Sequence, residues 1–521
     1  QAEDGIRDLV RSRGLGDVYK RQDKYIKMSM LLLSLLPIIS ILVLVVFFRK
    51  SLFFSAPLTF ALTLSLALIV WKMSVNYLVG ASAKGLFIAL EIIIIVFGAI
   101  FFLEVMKKKG IIASIEHHLS LVSPDKRVQA VLLAWLFVSF LEGAAGFGTP
   151  AAIVAPLLVG IGFPAVLAVI ICLIGDSTAV AFGAVGTPIK LGFSGLETAG
   201  VSFYAGLIGL VAGTFIPLMI IAVIVYMSKN RKWQHVKEMI PFSILAGLCF
   251  TIPYFLLSMI DAEFPSLAGS LIGLALMVFF VKKKFLLPGQ EWGFERESKK
   301  TMARHSVFRA FLPYLAVVLL LIAAKFLPWK TISYRILPEL SHSFNAVNPG
   351  ILFILVALFF GMKHSKHSFR KAFFKLEKPF LTLFCIAAFV QLMSNTNFNF
   401  SGLGSMVGIL SQFAQTNALP FIAPFIGALG AFIAGSATVS NLLFGKVQAD
   451  AATLMGLPAN KILALQVAGA SGGNMIALNN IVAAQATVKL QGQEEKILRI
   501  NMIPCLIYLV IAGIIGLLLV M

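Results

Sequence analysis

Apolar runs of about 20 residues recur along almost the whole of this chain, each long enough to carry a helix through roughly 30 Å of hydrocarbon. Lipid offers the backbone no hydrogen-bond partners, so such runs become helices that satisfy their own amides. Spans are expected near Met28–Phe48, Phe53–Trp71, Gly85–Leu103, Val128–Leu141, Phe203–Met227, Pro241–Ser258, Pro265–Val281, Phe308–Phe326, Gly350–Gly361, Phe380–Met393, Leu419–Ala434 and Ile500–Val520. Composition agrees: 59% of the residues are hydrophobic and 13% charged, where soluble domains average roughly 45–50% and about 25%. A soluble core is excluded, and the lipid bilayer is the surrounding medium.

The formal net charge of +20 sits mainly in short tracts between apolar runs, such as Lys107-Lys108-Lys109 and Lys282-Lys283-Lys284. Membrane-protein loops on the cytoplasmic side collect such tracts, so the basic balance implies anionic lipid and requires no nucleic acid. The tracts flank spans on alternate sides without a clean bias, which leaves orientation open. Cys172, Cys249, Cys385 and Cys505 stand singly in apolar surroundings and read as small buried hydrophobes. No metal site and no cofactor is expected. Residues 1–22 are polar and unlike the rest, and read as a non-native, adapter-like tail outside the fold. An N-terminal membrane half is expected over 23–281, a basic linker over 282–307 and a C-terminal half over 308–521.

Two regions resist a simple helical reading. From Glu142 to about Gly200, and again from Gly435 to about Gln491, apolar sequence is broken by Gly, Pro, Ser, Thr and Asn. Irregular backbone at membrane depth survives only where protein buries it or where it lines a wet cavity, so broken or re-entrant helices are expected. The two regions also align with each other. Gly143-Ala-Ala-Gly-Phe-Gly-Thr-Pro150, then Gly162-Phe-Pro164, then Gly175-Asp-Ser-Thr178 corresponds to Gly435-Ser-Ala-Thr-Val-Ser-Asn441, Gly456-Leu-Pro458 and Gly469-Ala-Ser-Gly-Gly-Asn474. Gly175 follows Pro164, and Gly469 follows Pro458, at the same eleven-residue offset. Paired interruptions in two halves mark the binding site of a transporter, although small residues also mediate ordinary helix packing. The expected fold is an all-α, polytopic transmembrane bundle with two inverted repeats.

Ionisable groups inside a bilayer are costly and so invite a functional reading. Glu142 ends an apolar span directly before the first broken segment, where a desolvated carboxyl takes up a proton readily. Capping of the next helix is the plainer alternative. Asp176 is a second candidate for proton or cation, or else an N-cap. Lys446 and Asp450, four apart, share a helical face: the lysine reads as a clamp for a carboxylate or, more plainly, as the partner of Asp450. Glu91 has no counterpart in the other half. An anion can also be held by the bare backbone amides at a half-helix N-terminus, which glycine lets it approach. Gly143, Gly146, Gly148 and Gly472 are candidates for that cradle, with Thr149, Ser177, Thr178, Ser440, Asn441, Ser471 and Asn474 as contacts to a carboxylate and a 2-hydroxyl. Gly469-Ala-Ser471-Gly-Gly473 matches a G-x-S-x-G nucleophile pattern, yet every histidine falls in an expected loop, so an intramembrane serine protease lacks its base. The chain does not read as an enzyme.

Leu141-Glu-Gly-Ala-Ala-Gly-Phe-Gly-Thr-Pro150, Val180-Ala-Phe-Gly-Ala-Val-Gly-Thr-Pro-Ile189 and Gly435-Ser-Ala-Thr-Val-Ser-Asn-Leu-Leu-Phe-Gly445 closely resemble the L-lactate permease family. The resemblance runs from about residue 28 to the end. It implies a proton-coupled carrier in the cell inner membrane for L-lactate, often with D-lactate or glycolate, built from twelve to fourteen helices. The chain departs from the family at Asp176-Ser177, where Asn-Thr is frequent, and at Lys446 and Asp450, whose charges are commonly missing. These departures keep a sodium-coupled carboxylate or dicarboxylate carrier in play, and an anion channel is the further alternative.

Overall fold

The computed structural model describes residues 28–520 apart from 147, 230, 295–304, 328–330 and 346. The adapter-like tail at 1–22 and part of the 282–307 linker lie outside the described residues. Among the described residues eleven helices are long and apolar enough to cross a membrane, and one bent pair passes the same test when taken together. In chain order the helices are α1 (Met28–Phe47), α2 (Leu52–Ile69), α3 (Val75–Lys108), α4 (Ile111–Ser120), α5 (Lys126–Ala144), α6 (Thr149–Gly160), α7 (Ala165–Asp176), α8 (Thr178–Lys190), α9 (Val201–Met227), α10 (Gln234–Ser258), α11 (Pro265–Lys282) and α12 (Val307–Ala324). After a β-hairpin of β1 (Thr331–Leu337) and β2 (Leu340–Asn345) come α13 (Pro349–Phe374), α14 (Glu377–Asn395), α15 (Met406–Phe413), α16 (Leu419–Ala434), α17 (Ala437–Leu454), α18 (Ala459–Gly473), α19 (Leu478–Thr487) and α20 (Glu494–Val520).

The two broken regions fold alike and point in opposite directions. Helices α5 and α6 form a hairpin whose open end is closed by the Lys126 ammonium donating to the carbonyl of Ile161 at 2.6 Å. Its tip, at Ala145, Gly146 and Gly148, is buried where the irregular backbone can be satisfied by protein. Helix α7 then leaves from the face where the hairpin began, breaks at Asp176 into the 3-10 turn Thr178–Phe182, and bends by 45° into α8, which ends on the opposite face. Helices α16 and α17 make the second hairpin. Its base lies on that opposite face, where Asn460 donates to the carbonyl of Ala199 at 3.1 Å. Helix α18 likewise breaks into a 3-10 turn, Asn474–Ile476, before α19. One repeat is therefore the inverted copy of the other.

Glycine sets how closely the helices cross. A β-carbon on Gly175 would stand 1.8 Å from the carbonyl oxygen of Ala134, and one on Gly469 would stand 1.9 Å from that of Pro424. Small residues at such crossings let backbones meet, which is how helices pack without a hydrophobic drive between them. The broken helices are thus fixed rigidly at the depth where they are interrupted.

Three sequence expectations change. The bundle is nearly all helical, but the segment between α12 and α13 is an antiparallel hairpin, with Tyr334 opposite His342. The span expected to stop at Gly361 continues to Phe374 through a kink where Gly361 takes a non-helical φ of −142°. His364 and His367 consequently lie on a helix, and His342 is a buried strand residue, so the histidines are not all in polar loops.

Candidate functional site

The site is assembled from the two hairpin tips and the two helix breaks. Gly146 and Gly148 hold left-handed φ angles of 60° and 71°, which turn the chain from α5 into α6. Gly435, at 67°, does the same between α16 and α17. The N-terminus of α6 begins directly after Gly148, and that of α17 begins after Ser436, whose hydroxyl caps it by accepting from the Val439 amide at 3.4 Å. Gly148, Gly435, Ser436, Ala437 and Thr438 all wall one small central cavity. Two helix N-termini, one from each repeat, therefore converge on a single point and bring their positive dipole ends together.

Glu142, Gly183 and Asn474 are also among its walls, and no Lys, Arg or His is. Glu142 and Asp176 are both buried, and their carboxyls face each other within hydrogen-bond reach. Asn474 donates to Asp176 Oδ2 at 3.1 Å, and its own oxygen accepts from the Asn480 side chain at 2.7 Å. Asn480 in turn abuts the other tip, since a β-carbon on Gly148 would stand 2.4 Å from Asn480 Oδ1. Two oxygens, Glu142 Oε2 and Asp176 Oδ1, have no donor from any described residue. The cavity volume is 10 Å³, about the space of one water. The tips are closed on each other here.

Segment 183–190 of α8 borders the pair on one side. Ala184, Val185 and Gly186 are left-handed in succession, at φ 42°, 56° and 77°. For the first two residues, and above all for a β-branched valine, that conformation costs about 1–3 kcal/mol each and persists only where the surroundings enforce it. Thr187 Oγ1 donates to the carbonyl of Ala184, and Asn441 donates to that of Pro188 at 2.9 Å, so side chains occupy the backbone groups that the kink frees.

The candidates read from sequence separate into three groups. Glu142, Gly146, Gly148 and Asn474 wall the cavity; Asp176 lies behind them, bonded to Asn474, and Thr149 lies beside it, its hydroxyl donating to the Gly146 carbonyl at 2.9 Å. Ser177, Ser440 and Asn441 are close by, but their polar groups are engaged: Ser177 with Ile174, Ser440 with Gly427 and Gln466, and Asn441 with Pro188. Buried hydroxyls of Thr178 and Ser471 have no partner among the described residues. Gly143 and Gly472 lie elsewhere. A β-carbon on Gly143 would meet the Leu267 amide of α11 at 2.4 Å, and one on Gly472 would meet the Tyr508 ring of α20 at 2.8 Å, which makes both helix-packing glycines and removes them from the cradle. Lys446 pairs with Asp450 at 3.0 Å, both about a third exposed, away from the cavity. Glu91 faces His342 Nε2 at 3.3 Å. Sequence reasoning missed Gly183, Ser436, Thr438 and Asn480, of which the adjacent pair Asn479-Asn480 in an apolar stretch was the available signal.

Inverted re-entrant hairpins around a buried, polar, cation-free centre define a polytopic membrane protein of the secondary-transporter class. The sequence profile of the L-lactate permease family matches residues 30–337 and 339–521, and the chain belongs to that family. It is 31% identical over 498 residues to the L-lactate permease of Escherichia coli K12, covering 86% of this chain and 88% of that protein. It is 30% identical over 482 residues to the putative L-lactate permease of Haemophilus influenzae, at 84% and 88% coverage. The glycolate permease GlcA of Escherichia coli K12 is 27% identical over 544 residues, at 94% and 95%.

Proposed function

We propose that the protein is a secondary active carrier that takes up L-lactate, or a closely related 2-hydroxy-monocarboxylate such as glycolate, together with protons across the cell inner membrane. The observation that carries this reading is the buried, facing pair Glu142 and Asp176, of which Glu142 walls a cavity without a cation. Two negative charges at hydrogen-bond distance in a dry site are mutually costly, so the pair is a natural holder for one proton. A proton between them also supplies the donor that Glu142 Oε2 and Asp176 Oδ1 lack. Protonation cancels charge beside the converging N-termini of α6 and α17, and so favours arrival of a second anion, the substrate carboxylate. Ser436, Thr438 and Asn474 then offer hydroxyl and amide contacts to the 2-hydroxyl. Relatives named L-lactate permease and glycolate permease support that substrate class.

Alternating access follows from the closed cavity: the hairpin of one repeat parts from the break of the other on one side and then on the other. The two membrane halves, 23–281 and 308–521, joined by the basic linker 282–307, are the moving assemblies in this reading. Tracing the crossings from the first hairpin base gathers Lys107–Lys109, Lys126, Arg127, Lys282–Lys284 and Lys371 at one end of the bundle. By the positive-inside rule that end is cytoplasmic.

Proteoliposomes separate the coupling ions. An interior-alkaline pH gradient should concentrate labelled L-lactate inside, and a sodium gradient at equal pH should not. Accumulation driven by sodium alone would instead assign Asp176 Oδ1 and Thr178 Oγ1, both buried and without partners among the described residues, to a cation. Counterflow of labelled substrate against its gradient distinguishes a carrier from an anion channel.

A further inference from the structure

Beyond the central pair, at the end of the bundle opposite the basic tracts, two larger cavities adjoin. One, of 370 Å³, is walled in part by Val185, Thr187, Lys190, Asp261 and Lys325. The other, of 360 Å³, is walled by Lys84, Ser194, Thr198, Ser341 and His342, and the two share Glu91, Lys190, Leu191 and Ser343. Both are the size of small-molecule pockets. The β-hairpin covers them.

Almost every charge around them is compensated. Lys190 lies 2.8 Å from Asp261 and is also bonded to Glu263, and Lys325 is shared by the same two carboxylates. Glu91 faces His342, and Lys446 is held by Asp450. Lys84 is the exception. It is half-buried on α3, with its ammonium toward the Gly195 loop, and makes no ion pair or hydrogen bond among the described residues. Burial dominates its surroundings, and Lys446 adds a like charge. An ammonium taken partly out of water without a counter-ion is costly, and a carboxylate arriving from solution relieves that cost. Hydroxyls of Ser194, Thr198 and Ser341 line the same space and can bond the rest of a small hydroxy acid.

The route inward is short. Gly183, Ala184 and Pro188 wall the central cavity, while Val185, Thr187 and Lys190 wall the first outer cavity, so a single stretch of backbone stands between those two. That stretch contains the left-handed run at 184–186.

We propose that the two adjoining outer cavities form a first binding site for the substrate's carboxylate, with Lys84 in the second of them as its counter-ion, from which the anion passes through the first and across the 183–190 partition to the central pair. This rests on the carrier reading above. It places the site outside the cytoplasmic face, where uptake begins.

The test is initial-rate uptake of labelled L-lactate in proteoliposomes bearing wild type, Lys84→Gln or Lys84→Arg. Loss of a charge-assisted contact should raise KM in the Gln variant by about tenfold or more while kcat at saturating lactate stays within about twofold. Lys84→Arg should recover most of the wild-type KM. An unchanged KM in the Gln variant, or a fall in kcat alone, overturns the proposal. Should the variants be poorly inserted, protection of Lys84 in the wild type decides: L-lactate should slow its labelling by an amine-directed reagent, read by mass spectrometry, and labelling indifferent to lactate overturns it. Failure of the wild type to take up lactate would strike the carrier reading itself, whereas normal wild-type uptake with an unaltered Gln variant strikes only the outer site.

Discussion

Replacing Gly183 with alanine adds one methyl group at the most crowded point of the carboxyl pair. Gly183 has φ −62° and ψ 158°, a conformation open to alanine, so backbone strain contributes little. The new β-carbon would stand 2.3 Å from Glu142 Oε1 and 3.2 Å from its carboxyl carbon. Ordinary contact begins near 3.4 Å, so the carboxyl has to retreat by roughly 1 Å, or the 183–190 partition has to shift by as much. Overpacking of this size costs about 1–3 kcal/mol of stability. The functional loss should be larger, because a displacement of 1 Å at a reacting group can reduce a rate by about a hundredfold. Gly472→Ala is the matched control, since its methyl group meets the Tyr508 ring at 2.8 Å and Leu509 at 3.4 Å, both on α20 and away from the carboxyl pair. Thermal unfolding in detergent and pH-driven lactate uptake are measured on both. Similar losses of stability are expected, with uptake reduced by one to two orders of magnitude in Gly183→Ala alone. Uptake at the wild-type rate in Gly183→Ala would show that Glu142 does not act where it is found.

Removing the Asn474 side chain deletes the donor to Asp176 Oδ2, and a hydrogen bond to a charged group is worth about 1.5–3 kcal/mol; Asn474→Ala should lose most uptake, and normal uptake would detach Asn474 from the pair. Lys446 and Asp450 form an exposed i,i+4 pair worth about 0.3–0.5 kcal/mol, so Lys446→Ala should keep more than half of wild-type uptake; its abolition would make the lysine a ligand. Glu116, on the short helix α4 outside the spans, is buried, and desolvation pushes its carboxyl up to about 7. A carboxyl raised in the folded state binds its proton there while the unfolded chain has released it, so stability should fall as pH rises between about 4.5 and 7. Glu116→Gln should flatten that part of the thermal-unfolding profile, and an unchanged slope would assign the pH dependence to other groups.

The fold was legible where lipid leaves the backbone little choice. Span length and the recurrence of Gly, Pro and Asn at matching offsets identified both broken regions, and Glu142, Asp176 and Asn474 followed because polar groups inside apolar sequence are costly. The glycines were harder. Gly143 and Gly146 belong to the same Gly-Ala-Ala-Gly string, yet one packs against Leu267 and the other turns the tip with φ 60°, and only the fold determines which does which. Orientation was hidden for a different reason. A re-entrant hairpin returns to the face it left, so counting just one of its arms as a span reverses the side assigned to every later loop, and the basic tracts sort to one end only once α5–α6 and α16–α17 are recognised as hairpins. Residues 331–336 alternate polar and apolar side chains, a strand signal obscured by its short length and by the polar run 341–343 in the second strand. Lys84 gave no signal at all, because its lack of a partner is a property of the cavity and not of its neighbours in sequence.

The proton's place is tested most directly by Glu142→Gln, which keeps the size and hydrogen bonding of the side chain but cannot titrate. Uptake driven by a pH gradient and exchange of labelled for unlabelled L-lactate are measured on the same proteoliposomes, with inserted protein matched to wild type. Wild type should do both. The Gln variant should lose pH-driven accumulation and retain exchange, since exchange can proceed with the site permanently neutral. Intact pH-driven accumulation in that variant would contradict the assignment and move the coupled proton away from Glu142.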